Sequence, residues 1–273
     1  MKVSFEFFPP RSENSKQTLA QARQQLSLIQ PEYFSVTFGA GGTTQEETLK
    51  TVLDIQANDS VSAVPHLSCI GSKKSAIITL LEKYKAANIR RIVAIRGDVP
   101  SGMSDIGDFH YANELVEFIK NQYGDHFHIE VAAYPEVHPQ AKNAQTDLQH
   151  FANKVKAGAD SAITQYFYNA DGYFRFVDEA QKLGVDVNIT PGIMPITNHT
   201  QLLKFSNMCG AEIPKWILER LKLYKNDTES LQKFGVEVVA NLCQTLKNQG
   251  VSNFHFYSMN RAQPLLDIVK SVQ

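Results

Sequence analysis

Residues 3–10 read VSFEFFPP, and this stretch decides how the rest of the chain is interpreted. It is rich in β-branched and aromatic residues, which favour a strand. The pair Pro9-Pro10 can neither continue a hydrogen-bonded ladder nor start a helix, so the stretch predicts a buried strand that ends at Phe8. We expect this strand to be the first unit of a sheet.

Glu6 is the one charged residue within this apolar strand. Because side chains alternate along a strand, Glu6 shares one face with Ser4 and Phe8. Burial would raise the pKa of its carboxyl group and make it a proton donor near neutral pH. The alternative interpretation is a structural ion pair with an arginine such as Arg11 or Arg91.

Strand and helix patterns alternate along the whole chain. Each strand pattern is a short β-branched and aromatic run, and a helical pattern follows it. The eight predicted strands cover residues 3–8, 33–38, 61–69, 89–96, 126–134, 161–168, 185–191 and 253–258. A helical insertion of two or three segments, with Pro214 at the start of one, is predicted at about residues 198–248. The repeat favours a closed α/β fold, a (β/α)8 TIM barrel formed by residues 1–273 as a single domain, over an open doubly wound sheet.

The composition is that of an ordinary globular protein. Charged residues make up 20% of the chain and the formal net charge is -1, so no basic excess favours nucleic acid or an anionic membrane surface. Cys69, Cys209 and Cys243 are far apart, which argues against structural disulfides and a zinc cluster. No signal segment and no apolar run of about 18 residues occurs. We expect a cytoplasmic protein that binds neither nucleic acid nor membrane.

In a barrel of this type, the active groups lie at the carboxyl ends of the strands. The residues at the predicted ends are Glu6, Thr37 with the loop 39–42, His66, Arg96-Gly97-Asp98, Tyr134-Pro135-Glu136 with His138, Gln165 to Tyr168, Pro191-Gly192 and Asn260-Arg261. No lysine lies at a strand end, which argues against a Schiff-base aldolase. His66 and His138 are on different strands from most of the carboxylates, so we expect no metal site.

Several of these groups also have a purely structural explanation. The GAGGTT loop, residues 39–44, is either a tight turn or a close approach of the backbone to a phosphate or a flat ring. Asp98 can cap a helix or pair with Arg96, and it can equally accept hydrogen bonds from an amino-pyrimidine edge. Trp216 and Met208 lie on helical patterns and are expected to be packing residues.

Eight motifs, one at each predicted strand end, are specific when taken together. They are SFEFFPPR, SVTFGAGGTT, PHLSC, RIVAIRGD, VAAYPEVHP, AITQYFY, ITPGIMPI and FHFYSMNRA. In this order and spacing the chain resembles the bacterial methylenetetrahydrofolate reductases over essentially its whole length. The resemblance implies a barrel that binds FAD without a Rossmann domain and runs a ping-pong reaction. NADH reduces the flavin and leaves, and 5,10-methylenetetrahydrofolate then takes the hydride and becomes 5-methyltetrahydrofolate.

The resemblance also implies roles for individual residues. Glu6 matches the general acid, and Asp98 matches a carboxylate that tunes the flavin and holds the pterin edge. The residues that match substrate contacts are Asp98, Gln165, Gln201, Phe205 and Arg261. The residues that match FAD contacts are Thr37, Phe38, Ala40, His66, Arg96, Gly97, Asp98, Tyr111, Ala112, Tyr134, His138, Ala141, Asp147 and Lys154.

The chain departs from the family pattern at three positions. Phe38 stands where relatives often have tyrosine, and His150 and Asn153 stand where an asparagine and a more basic helix face are expected. Family analogy implies a homo-oligomer, and the choice between NADH and NADPH stays open. Two rival interpretations are a flavin-free folate barrel, such as a pterin-dependent methyltransferase, and a binding or scaffold protein that has lost activity. The presence of both Glu6 and Asp98 argues against the second.

Overall fold

The computed structural model describes residues 1–38, 45–98 and 106–272. Strands and helices alternate through most of the chain, as the sequence pattern predicts. The elements are β1 (Lys2–Phe7), α1 (Glu13–Ser27), β2 (Tyr33–Val36), α2 (Gln45–Asn58), β3 (Ser62–Ser68), α3 (Lys74–Ala86), β4 (Arg91–Ile95), α4 (Ala112–Tyr123), β5 (His128–Ala133), α5 (Ala144–Lys156), β6 (Ser161–Thr164), α6 (Ala170–Lys182), β7 (Asn188–Thr190), β8 (Gly192–Ile193), α7 (His199–Cys209), α8 (Lys215–Leu223), α9 (Thr228–Asn248), β9 (Asn253–Tyr257) and α10 (Leu265–Val272).

The strands form one parallel sheet that curves into a nearly closed barrel. Their order is β7-β6-β5-β4-β3-β2-β1-β9-β8. Pro191 alone separates β7 from β8, so the chain itself joins the two ends of this order. Pro191 has no N–H to donate, but its carbonyl accepts a hydrogen bond from His255 N at 3.0 Å. The predicted α/β barrel is therefore confirmed.

Alternation along β1 separates the two sides of the barrel wall. Phe5 and Phe7 pack into the core that lies between strands and helices, where Phe7 meets the Phe34 ring edge-on at 5.1 Å between centroids. Ser4 and Glu6 are on the opposite face, inside the barrel. Full burial of a phenylalanine contributes roughly 1.5–3 kcal/mol, so a shift of this strand by one residue would be strongly disfavoured.

Helices α7, α8 and α9 lie between β8 and β9, where the insertion is predicted. Pro214 precedes the first residue of α8. The hydroxyl groups of Tyr166 and Ser206 are 2.9 Å apart, and this hydrogen bond fixes α7 against the chain that follows β6. Within the described parts of the chain, each helix is too short or too polar to cross a membrane.

Three details differ from the predictions. The seventh predicted strand, residues 185–191, is shortened to β7, and β8, which follows Pro191, was not predicted. Strand β6 ends at Thr164 rather than at Tyr168, and just beyond it the side-chain oxygen of Gln165 accepts a hydrogen bond from Tyr166 N. Met208 is 68% exposed and is not the packing residue that was predicted, whereas Trp216 is 57% exposed but meets the Phe234 ring edge-on, with centroids 6.1 Å apart. Helical periodicity identified their helices but could not tell which apolar side chains face solvent.

Candidate active site

Two adjoining cavities open at the carboxyl ends of the strands. The outer cavity has a volume of about 570 Å³ and lies between the ends of β4 and β5 and the first turns of α4 and α5. The inner cavity, of about 70 Å³, lies inside the barrel. Ile95, Ala132 and Tyr134 line both cavities, so the two are in contact.

Glu6 is the acidic group of the inner cavity. It is 7% exposed, and burial raises the pKa of its carboxyl from 4.5 to about 8. Its Oε2 is 3.4 Å from His66 Nε2, and burial lowers the pKa of His66 to about 4. Because burial favours the neutral form of both groups, Glu6 is a protonated acid beside a neutral imidazole near pH 7, rather than half of an ion pair.

Arg91 is not an ion-pair partner of Glu6. This guanidinium is at the start of β4, 3.5 Å from the Glu130 carboxylate at the opposite end of the barrel. It also lies over the Tyr33 ring, 4.9 Å from the centroid. Arg91 therefore stabilises the amino end of the barrel and leaves Glu6 without its charge.

His255 is a buried neighbour of Glu6 that the sequence analysis missed. It is fully buried on β9, its Nε2 is 4.0 Å from Glu6 Oε2, and burial lowers its pKa to about 3. Its Nδ1 is 2.7 Å from Ser4 Oγ, and its Nε2 is 3.4 Å from Ser35 Oγ. A signal was present: the alternation in NFHFYS puts His255 on the inner face of its strand, where a polar residue needs a partner.

Tyr257, on β9, lines the inner cavity, and Gly192 of β8 lies against its side chain. The Tyr257 hydroxyl donates to Thr164 O at 2.7 Å, and burial together with the nearby Glu6 raises the pKa of this phenol well above its ordinary value. A Cβ atom on Gly192 would lie 2.0 Å from Thr164 O and 2.7 Å from the Tyr257 hydroxyl. Only glycine allows β8 to approach the neighbouring strands this closely.

Tyr134 connects the inner and outer cavities. Its pKa is raised to about 12, chiefly by burial and also by Asp98, while Gln165 acts on it through a side-chain hydrogen bond. Its ring meets the His138 ring edge-on, with centroids 4.5 Å apart. His138 Nδ1 accepts a hydrogen bond from Gln140 N at 3.0 Å, so the neutral ring carries its proton on Nε2. The Tyr134 side chain therefore contacts His138 of the outer cavity and Gln165 of the inner cavity.

The outer cavity carries more cationic than anionic side chains. Its cations are Arg96, Lys142 and Lys154, and its carboxylates are Asp98 and Asp147. Burial lowers the pKa of Lys154 to about 8, opposed by Asp147, and its Nζ donates to Ala132 O. This balance of charge suits a ligand that carries phosphate groups.

Gly97 shapes the turn at the end of β4. Its φ is +83°, and a Cβ atom there would lie 2.1 Å from Ser68 Oγ and 3.0 Å from Ile70. Ser68 Oγ is held in place because it donates to Arg96 O at 2.9 Å. The glycine is thus required for packing of this turn against the end of β3. This turn places Arg96 and Asp98 at the wall of the outer cavity.

The residues present fit a flat, anionic cofactor such as FAD. The outer cavity falls within the range of about 300–1,000 Å³ that is usual for ligand sites. Within the described residues, Thr37 Oγ1 and His66 Nε2 are buried without a hydrogen-bond partner, although both are polar. Buried polar atoms of this kind are usually satisfied, and His66 lines the inner cavity, so a molecule bound there would supply its missing partner. No cluster of three or more potential metal ligands occurs among the described residues.

The structure brings together most of the residues expected at an FAD site. The outer cavity is lined by Arg96, Gly97, Asp98, Tyr111, Ala112, Tyr134, His138, Ala141, Asp147 and Lys154. His66 and Gln165 line the inner cavity with Glu6. Thr37 and Phe38 follow β2 and line neither cavity, and Ala40 lies outside the described residues.

The other expected substrate contacts lie away from these cavities. Gln201 and Phe205 are on α7, and Arg261 follows β9; none of the three lines the inner or the outer cavity. Two further lining residues of the outer cavity, Gln140 and Lys142, were not singled out from the sequence. They follow the VAAYPEVHP motif directly, and this position is the signal that could have identified them.

The model of one protein family matches the whole chain. The family is described as methylenetetrahydrofolate reductase, and the match covers residues 1–273. The chain belongs to the methylenetetrahydrofolate reductase family. Its 5,10-methylenetetrahydrofolate reductase relatives include one from Salmonella typhimurium, 41% identical with 96% of this chain and 88% of the relative covered, and one from Pectobacterium carotovorum, 40% identical with 96% and 87% covered. Members of the family are oxidoreductases, and this chain is one of them.

A solved structure with low sequence identity has the same fold. It is an uncharacterized protein from Clostridium thermocellum that binds two copies of 5-methyl-5,6,7,8-tetrahydrofolic acid. The TM-score is 0.62 at 13% identity, with 99% of this chain and 92% of that chain covered. At this identity the likeness concerns the fold of the methylenetetrahydrofolate reductase chain and not its site.

Proposed function

We propose that this chain reduces 5,10-methylenetetrahydrofolate to 5-methyltetrahydrofolate, with NADH or NADPH as the hydride source and FAD as the resident cofactor, in a ping-pong sequence. The observation that carries the proposal is the buried Glu6 carboxyl, whose pKa burial raises to about 8, in a cavity that adjoins a larger one with more cationic than anionic side chains. The chemistry that FAD supplies when bound is hydride transfer, from the nicotinamide in one half-reaction and to the folate in the next.

Glu6 is the general acid of the folate half-reaction. It donates its proton to a nitrogen of the folate imidazolidine ring, and the C–N bond opens to an iminium that can accept a hydride. The carboxylate that remains takes a proton from solvent before the next turnover. The raised pKa of about 8 supports this role, because the acid is still protonated at neutral pH.

Asp98 and Gln165 hold the pterin. Asp98 is exposed at the wall of the outer cavity, while Gln165 lies in the inner cavity with Glu6. A carboxylate and an amide together match the donors and acceptors of an amino-pyrimidine edge. Gln201 and Arg261 contact the folate from outside the cavities, and Phe205 stacks on whichever substrate is bound.

FAD is held along the outer cavity and the adjoining strand ends. Arg96 and Lys154 supply positive charge for the diphosphate, and Tyr134 and His138 supply aromatic and hydrogen-bonding surface. Thr37 and His66 each offer a buried polar atom without a partner among the described residues. Phe38, Ala40, Gly97, Asp98, Tyr111, Ala112, Ala141 and Asp147 complete the proposed cofactor contacts.

Two further features of the proposal rest on observations away from the site. The cytoplasmic location is proposed from the three widely spaced cysteines and the sequence pattern, and the homo-oligomer is proposed by family analogy. The folate-binding protein from Clostridium thermocellum supports the view that a barrel of this shape can take a reduced folate.

The test is an anaerobic visible spectrum of the purified protein, recorded before and after addition of NADH and again after methylenetetrahydrofolate. A flavin band that bleaches with NADH and returns with the folate supports both half-reactions. A parallel titration with NADPH decides between the two nicotinamides. A colourless protein that takes up no added FAD overturns the proposal and favours a flavin-free folate enzyme.

A further inference from the structure

The turn after β9 has an unusual backbone. Met259 and Asn260 both have positive φ, +53° and +57°, and neither is glycine. The left-handed conformation costs a non-glycine residue roughly 1–2 kcal/mol, although asparagine tolerates it better than most. Two such residues in succession persist only where the surroundings hold them, and such strain is concentrated at functional sites.

The Asn260 side chain holds the backbone of Phe8 with two hydrogen bonds. Its Oδ1 accepts from Phe8 N at 2.8 Å, and its Nδ2 donates to Phe8 O at 2.9 Å. Phe8 lies just beyond the last residue of β1, and β9 has ended at Tyr257. No strand ladder is therefore available on this side, and the amide of Asn260 takes the place of a neighbouring strand.

The same turn also holds the backbone of Glu6. Ser258 N and Ser258 Oγ both donate to Glu6 O, the first at 3.1 Å. Ser258 Oγ accepts from Asn260 N at 3.1 Å, and Ser258 O accepts from Arg261 N at 3.0 Å. These hydrogen bonds tie the turn of residues 258–261, which includes Arg261, to the backbone of Glu6 in β1.

We propose that Asn260 is a positioning residue for the folate half-reaction, because its two hydrogen bonds to Phe8 fix the strand of Glu6 relative to Arg261. This inference rests on the proposed function, in which Glu6 protonates the folate and Arg261 contacts it. The acid and the arginine then act on one bound molecule only while the turn keeps them in register. Small displacements matter here, since a misplacement of about 1 Å can cost about 10²-fold in rate.

The test substitutes Asn260→Gly. Glycine adopts positive φ without strain, so this change removes the two side-chain hydrogen bonds but keeps the backbone conformation accessible. The matched control is Asn88→Gly, because Asn88 also has positive φ, +58°, in the turn between α3 and β4, far from the site. Both variants are measured as FAD-loaded protein in separate stopped-flow half-reactions.

We expect the Asn260→Gly protein to bind FAD and to be reduced by NADH at rates within about twofold of the wild type. Reoxidation of its flavin by methylenetetrahydrofolate should be slower by about 10–100-fold, and the KM for the folate should rise. The Asn88→Gly control should match the wild type in both half-reactions. A selective loss of this kind cannot come from a general loosening of the barrel, which would also change FAD affinity and NADH reduction.

Two outcomes overturn the inference. One is an unchanged folate half-reaction in Asn260→Gly, and the other is an equal loss in both half-reactions together with weaker FAD binding. If Asn260→Gly does not fold, Asn260→Asp tests the same point, because it keeps the acceptor for Phe8 N and loses the donor to Phe8 O. If the wild-type flavin itself is not reoxidised by the folate, the proposed function fails, and that result is distinct from both.

Discussion

Glu6 is a buried acid whose described neighbours include two imidazoles held neutral by burial. Its pKa is raised to about 8, while those of His66 and His255 are lowered to about 4 and 3. In each case the first cause is burial, which penalises the charged form. A carboxyl group in these surroundings keeps its proton at neutral pH and can give it to a substrate.

We expect Glu6→Gln to abolish folate reduction selectively. Positioned proton transfer is worth about 10²–10⁴-fold in rate, so the folate half-reaction should fall by about this factor while FAD binding and reduction by NADH persist. Glu130→Gln is the matched control, since Glu130 is also buried inside the barrel, 2% exposed, but lies at its amino end. Normal folate reduction by Glu6→Gln would remove Glu6 from the role of acid.

The pH dependence of the two half-reactions should differ. The pKa of Glu6 is raised from 4.5 to about 8, so the acid is present below pH 8 and is lost as the pH rises through this value. Folate-dependent reoxidation should therefore fall about tenfold per pH unit above pH 8, whereas reduction by NADH should not show this limb. Stopped-flow profiles between pH 6 and 10 measure both, and identical profiles would contradict the assignment.

The same shift predicts the effect of Glu6 on stability. Between pH 4.5 and about 8 the folded state holds a proton that the unfolded chain releases. The contribution of Glu6 to the free energy of unfolding is therefore largest below pH 4.5 and falls as the pH rises, by up to about 1.4 kcal/mol per pH unit in this window. In urea unfolding, the free energy of unfolding should fall more between pH 5 and pH 8 for the wild type than for Glu6→Gln.

At the residue scale the sequence was informative where a charge interrupts an apolar pattern. Glu6 was identified in this way and its burial is confirmed, with the raised pKa following from that burial. His255 interrupts its own strand in the same manner but was overlooked, because a neutral histidine is also a common core residue. The catalytic roles of Glu6 and Asp98 stay predictions, since they depend on molecules that bind there.

Among the elements, the turn after β4 is the most sensitive to a single methyl group. Gly97→Ala combines positive φ with a Cβ that would lie 2.1 Å from Ser68 Oγ, so we expect a loss of about 2–3 kcal/mol in the free energy of unfolding and weaker FAD binding. Gly184→Ala is the control: φ is +81° there, but nothing lies within 4 Å of the added atom. It should lose only about 1 kcal/mol in urea unfolding. Equal losses of unfolding free energy in the two variants would show that backbone strain, and not the contact with Ser68, explains the effect at Gly97.

Element types were predictable, whereas element ends were not always. The strand patterns identified β1 to β7 and β9 but not the short β8, because apolar alternation bounded by glycine and proline is a strong local signal. The end of β6 was placed four residues late, at Tyr168 instead of Thr164, because aromatic residues favour strands wherever they occur. After Thr164 the Gln165 side chain accepts a hydrogen bond from the backbone of Tyr166, a local contact that strand propensity does not include.

For the whole molecule, barrel closure depends on the contact of β8 with β6 and β9. Gly192→Ala would place Cβ 2.0 Å from Thr164 O, a backbone atom that cannot move aside, so we expect a loss of more than about 3 kcal/mol. Gly172→Ala, on α6 with nothing within 4 Å, should instead be neutral or stabilising by up to about 1 kcal/mol. Urea unfolding measures the free energy of unfolding of both variants. A Gly192→Ala protein as stable as the wild type would mean that β8 can move away from Thr164 to admit the methyl group.

Closure itself could not be derived from sequence periodicity. An open sheet and a barrel share the same alternation of strands and helices, and the deciding pairs, Gly192 with His255 and Ile193 with Phe256, join residues far apart in the chain. Two of the cavities lie at the carboxyl strand ends, where the rule for barrels places the active groups. That residues 1–273 form one domain stays a prediction.

The shared wall of the two cavities has a consequence for how such an enzyme can evolve. Tyr134 faces both cavities, so any substitution there changes the cofactor side and the acid side together and is pleiotropic. Gln140 and His150 line only the outer cavity of the two. Substitutions that change cofactor affinity alone are therefore expected to accumulate at positions such as Gln140 and His150, and to be rarer at Tyr134.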